Sequence, residues 1–109
     1  MSRTKDQKLE EIQICDLSFR LAKQAGLGGD HAEAKTKVQK MFPKTPAGQI
    51  ASLYARAMKF LEACNTFGET YFSKNLSDAE IIEALQADHP GFSEKTYRDA
   101  LSFGRFLAK

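Results

Sequence analysis

The sequence predicts an all-α fold: five helices in a single domain, residues 1–109, with a helix-turn-helix-like pair over residues 76–108. Three observations carry that expectation. Apolar residues recur at spacings of three and four and nowhere alternate at two for the length of a strand, which is the period of helices rather than sheets. Capping patterns open helical segments at Asp30 with Glu33, at Ser77 with Glu80 and at Ser93. Glycine or proline then closes them, at Gly26, at Pro43 and at Pro90-Gly91. With 109 residues, 42% hydrophobic and 28% charged, the chain has the composition of an ordinary globular domain. Such a chain should leave roughly 6,000 Å² exposed, enough burial for one modest core.

The first helix is expected from about Lys5 to Ala25, stopped by Gly26 and the further break at Gly28 and Gly29. Leu9, Ile12, Ile14, Cys15, Leu17, Phe19, Leu21 and Ala22 fall on nearly every side of its wheel. A helix apolar all round needs cover all round, so a homodimer is expected, with Ile12, Cys15 and Phe19 in its interface. Asp30 opens the second helix and Pro43, after Phe42, ends it. Apolar residues are few there, and Lys35, Lys37, Lys40 and then Lys44 dominate, so it is either a plain surface helix or one that faces an anion.

Thr45-Pro46 reads as a cap followed by proline at the first helical position. From Ile50 a stripe half a cylinder wide runs through Leu53, Tyr54, Ala57, Met58, Phe60, Leu61, Cys64 and Phe67 to Tyr71, which makes this third helix the central one. Ser77 caps the fourth helix, Glu80 completes its capping box, and Leu76 and Ile81 stand at hydrophobic-staple positions. His89-Pro90-Gly91-Phe92 turns the chain, and Ser93 caps a last helix running close to Lys109. Its inner face is Tyr97, Ala100, Leu101, Gly104 and Leu107. Phe103 and Phe106 lie off that face, as a surface for a protein partner or a contact with the first helix.

From Leu76 to Leu101, about a quarter of the chain, the sequence resembles the paired helices of winged-helix repressors, the ferric-uptake-regulator family above all. Ser77, Ile81, Leu85, Pro90, Gly91, Ser93, Thr96 and Leu101 stand in matching places, and Ser93-x-x-Thr96 matches the opening of that family's recognition helix. The resemblance implies a helix laid in the major groove, with Ser93, Lys95, Thr96, Arg98, Ser102 and Arg105 as donors to bases and phosphates. Lys35, Lys37, Lys40 and Lys44 would support them. Two features depart from the family: no wing hairpin is expected after Lys109, and the family's metal-binding Cys and His residues have no counterparts. Asp99 in the last helix, and Asp78, Glu80, Glu83 and Asp88 in the one before it, would repel phosphate.

Charge is uneven along the chain: net +5 over residues 31–60, −5 over 61–92 and +2 over 93–109. A basic block beside an acidic one suits steering toward phosphate or toward an acidic protein. Cys15 and Cys64 lie inside apolar helical patterns without ligand spacing, which favours buried, reduced thiols over a disulfide. His31 and His89 stand at helix ends, apart from each other and from both cysteines, so neither a metal nor a cofactor is expected. No Gly-rich phosphate loop or catalytic set points to an enzyme. The N-terminus lacks the apolar core of a signal peptide and no run is long enough to span a membrane, which suggests a cytoplasmic protein. The resulting expectation is a dimeric helix-turn-helix transcriptional regulator that binds DNA. The alternative is a helical protein-interaction module, an adaptor or an inhibitor, with no nucleic-acid role.

Overall fold

The computed structural model describes residues 5–26 and 28–108; Met1–Thr4, Leu27 and Lys109 lie outside it. Five helices of eleven residues or more are present, and no strand occurs among the described residues. They are α1 (Lys5–Ala25), α2 (His31–Met41), α3 (Ala47–Ala63), α5 (Asp78–Asp88) and α6 (Glu94–Ala108). A single-turn α4 (Phe67–Thr70) sits between 3₁₀ turns at Cys64–Thr66 and Phe72–Lys74. The fold is all-α, as the apolar period requires.

Local chemistry sets most of the boundaries. The Asp30 carboxylate accepts the Glu33 N–H at 3.1 Å and so caps α2. At α5 the box is reciprocal: Ser77 Oγ accepts from the Glu80 N–H at 3.2 Å, and the Glu80 carboxylate accepts from the Ser77 N–H at 3.1 Å. That second bond is the main reason the Glu80 carboxyl lies below its ordinary pKa. Ser93 Oγ takes the Thr96 N–H at 3.4 Å to open α6.

The third helix departs from expectation at both ends. Pro46, not Thr45, stands at its cap, and Thr45 is buried with its hydroxyl donating to Glu10 Oε1 at 2.6 Å, so it ties α1 to the α2–α3 turn instead. The apolar stripe to Tyr71 is buried, apart from the half-buried Met58, but is not one helix. After Ala63, Asn65 Nδ2 donates to the Glu62 carbonyl at 3.3 Å and Thr66 Oγ1 to the Ala63 carbonyl at 3.0 Å. Side chains that bond back to nearby carbonyls compete with the helical ladder, and here the ladder breaks.

The core is built around Phe60, which is fully buried. Its ring lies 4.8 Å from Phe92, 5.0 Å from His89, 5.1 Å from Phe19 and 5.6 Å from Tyr97, so one side chain joins α1, α3, the α5–α6 turn and α6. Desolvation in that cluster lowers the His89 pKa and keeps the ring neutral.

The all-round apolar character of α1 has a different explanation from the expected dimer. Its Ile14, Cys15, Ser18, Phe19 and Ala22 are covered by this chain's own α2 and α3. Cys15 is 0% and Phe19 2% exposed, so neither lies at a surface where a second copy could reach it; Ile12 is half-buried. The wheel could not show that α2 and α3 cover these positions; Leu9, on the same helix, stays 55% exposed. Both thiols are free and buried, and desolvation pushes Cys15 up to about 11 and Cys64 up to about 12, which keeps them protonated. The accessible surface, 6960 Å², exceeds the roughly 6,000 Å² typical of this mass. Extents of 43 × 34 × 17 Å explain the excess: a slab this thin leaves every helix one face at the surface. No helix among the described residues is long and apolar enough to cross a membrane.

Candidate functional site

The α5–turn–α6 pair is pinned from inside. Tyr97 donates its hydroxyl to the His89 carbonyl at 2.8 Å and accepts the Phe92 N–H at 3.3 Å, which closes the turn over Phe60. Gly91 sits at φ +105, where a side chain is strained, and a Cβ there would also meet the Arg56 guanidinium. Farther along α6, a Cβ on the buried Gly104 would overlap the Phe67 ring, so only glycine permits this approach of α6 to α4.

The N-terminal turn of α6 faces α1. Asp16 of α1 accepts the Ser93 N–H at 3.0 Å and places a carboxylate at a helix N-terminus, where a phosphate would otherwise be favoured. Thr96 is 6% exposed and belongs to the interior. The remaining candidates on this helix, Lys95, Arg98, Ser102 and Arg105, recur at three and four and form one outward stripe. Each cation in it has a carboxylate. Lys95 pairs with Asp99 at 3.2 Å, Arg98 with Glu94 at 2.9 Å, and Arg105 with Asp78 of α5. Arg105 also lies over the Phe72 ring at 5.7 Å, and its hydrogen bond holds the Asp78 carboxyl below the ordinary range. Exposed pairs of this kind stabilise by only about 0–1 kcal/mol. They do, however, cancel the positive field of the stripe, and α5 beside it adds the exposed Glu80 and Glu83.

The basic block rides on α2 and the turn after it; the end of α2, at Met41 and Phe42, borders the same groove as the start of α6. α2 packs on α1 and α3, whereas α6 packs on α5, α4 and the Cys64–Thr66 turn. Lys35 lies 5.7 Å over the Tyr54 ring, whose hydroxyl is 2.6 Å from His31 Nδ1. Lys37 pairs with Glu33 at 3.7 Å, and Lys40 is exposed. Lys44 lines a groove of about 560 Å³ between α1 and α3. Within it Thr45 donates to Glu10, and Gln49 Nε2 donates to Glu11 at 3.1 Å.

A second groove, of about 690 Å³, was not anticipated from the sequence. It runs along the outward side of α1 between the end of α2 and the start of α6. Leu17, Phe42 and Met41 give it an apolar floor, and Arg20, Lys23, Asp16, Lys95 and Asp99 stand along its walls. Met41 is 68% exposed. Arg20 is exposed and makes no ion pair among the described residues. Lys23 lies 5.8 Å over the Phe103 ring, which stacks on Phe106, itself 68% exposed, so apolar surface continues from the groove to the end of α6. The signal available in sequence was slight: Gln13, Leu17, Arg20 and Gln24 share one face of α1, with one apolar residue among polar ones. No cluster of His, Cys, Asp and Glu able to hold a metal ion occurs among the described residues. Comparison of the chain with protein-family models, with curated proteins and with solved structures gives no match.

Proposed function

We propose that this chain is a helical protein-interaction module. The observation that carries the reading is the state of α6: Asp16 holds its first N–H, Thr96 is buried, and Lys95, Arg98 and Arg105 are each matched by a carboxylate. Affinity for a duplex rests largely on cations that neutralise phosphates, and this helix has none to spare. The surface offers apolar side chains instead, Met41 and Phe106, beside a groove. The reading includes no catalytic step.

The DNA-binding regulator remains the second reading, favoured by one observation, the outward alignment of Lys95, Arg98, Ser102 and Arg105 on a single face of α6. A titration of the full chain with mixed-sequence duplex DNA at about 50 mM salt separates the two, because each phosphate contact contributes roughly −0.9 to the log–log salt slope. The interaction module gives no saturable binding. Saturable binding that falls steeply with salt, and is lost in the Lys95→Ala, Arg98→Ala, Arg105→Ala triple variant, would establish the regulator and overturn the proposal.

A further inference from the structure

We infer that the groove between α1, the end of α2 and the start of α6 receives an acidic amphipathic helix from a different protein. This deepens the interaction reading above and rests on it. The shape comes first. The wall from Gln13 to Gln24 is twelve residues long, eleven rises of 1.5 Å or roughly 16 Å, about three helical turns. No strand occurs among the described residues, so no sheet edge is offered to an extended peptide. A segment that satisfies its own backbone hydrogen bonds, a helix, is the occupant that fits such a floor.

Chemistry then selects the face of that helix. Leu17, Phe42 and the exposed Met41 form a floor that gains only from apolar side chains, and an unbranched methionine at the rim adapts to their shape. Of the charges on the walls, Asp99 is paired with Lys95, whereas Asp16 accepts the uncharged Ser93 N–H and keeps its negative charge. Arg20 has no carboxylate, and neither has Lys23, which rests on Phe103. Arg20, Lys23 and Lys95 stand against Asp16 and Asp99, so the walls are net positive, and their complement is Asp or Glu flanking an apolar stripe. A second copy does not supply this combination from its acidic helix, since α5 buries its own Ile81, Ile82 and Leu85. Nucleic acid would set phosphates, with no apolar side chains of their own, against an apolar floor.

The test is selection from a displayed library of helical peptides, with surface positions randomised, against the full chain. Enriched sequences should carry apolar residues at i, i+3 or i+4, and i+7, with Asp or Glu beside them. The best of these, synthesised and labelled, should bind Arg20→Glu at least tenfold more weakly than the parent chain. Arg98→Glu, on the outward face of α6, should stay within twofold, and both variants should keep the parental melting temperature. A peptide with Lys in place of its acids should reverse the preference and favour Arg20→Glu, which a merely structural role for Arg20 would not produce. Three results overturn the proposal. Enrichment without acids, or equal loss in both variants, removes the groove while leaving an interaction module in place. Light scattering that shows a dimer, dissociated by Arg20→Glu, makes the occupant a second copy. No enrichment, together with saturable salt-sensitive DNA binding, removes the interaction reading itself.

Discussion

The two long sides of α6 face opposite kinds of environment. Toward the interior it presents Thr96, Tyr97, Ala100, Leu101 and Gly104, closed against α4, α5 and the aromatic cluster of Phe60. Toward solvent it presents Lys95, Arg98, Ser102 and Arg105, every cation matched by an acid one turn away or on α5. In sequence the outward stripe draws attention, because basic residues after a capped turn resemble a recognition helix. In space the inward side carries the specificity, and the outward side is electrically quiet. Arg20, one of the cations without an ion pair among the described residues, lies on α1, outside the helix-turn-helix altogether. A basic residue matters to a partner according to what already neutralises it.

The sharpest way to break this contrast is to disturb the inward side. Phe60→Ala should destabilise by about 3–5 kcal/mol, since a buried ring touching four elements leaves a cavity that cannot collapse. Against a typical domain stability of about 5–15 kcal/mol, thermal or urea unfolding should show a large loss. Retention of the parental midpoint would mean that Phe60 is not the hub of the core. Next comes Gly104→Ala. Helix propensity alone would favour alanine by about 1 kcal/mol. Overpacking against the buried Phe67 ring costs about 1–3 kcal/mol, so net destabilisation is expected, and a raised melting temperature would show that α4 yields easily.

A smaller effect is expected where the two sides meet. Asp16→Ala removes the carboxylate at the start of α6 and should cost about 1 kcal/mol, in the range of lost helix caps. Amide exchange should quicken at Ser93 and over the first turn of α6; unchanged exchange there would show that Asp16 does not hold it. The smallest effect belongs to the outward stripe, and it has a sign. The Asp78 carboxyl is held below its ordinary value by Arg105, so the stability it contributes is present above that value and fades as the pH falls through the lowered one. Arg105→Gln should therefore differ slightly from the parent at neutral pH and converge with it in acid. Divergence on acidification would contradict the pairing.

Several of these features were legible in the sequence because they are local. Asp30, Ser77, Glu80 and Ser93 announce their caps within four residues, and Gly91 its left-handed turn, whereas Lys95 and Arg98 read in sequence as donors to DNA, a reading that misses their pairing with Asp99 and Glu94 although it spans one helical turn. Burial of Cys15 and Cys64 followed from their apolar neighbours. Misreadings arose where distant segments decide. α1 reads as apolar on every side only until α2 and α3 cover it, which turns Cys15 and Phe19 from interface residues into core. Thr45 reads as a cap until Glu10, thirty-five residues earlier, claims its hydroxyl. The groove could not be read at all, because its floor and walls come from three segments that no local pattern joins.

Backbone amide shifts of the full chain, recorded in parallel with the selected acidic peptide and with duplex DNA, test the central claim most directly. The peptide should move resonances over residues 13–24, at Met41 and Phe42 and in the first turn of α6, and DNA should move none saturably. Saturable shifts from DNA along Lys95, Arg98, Ser102 and Arg105, with the peptide inert at the groove, would contradict it.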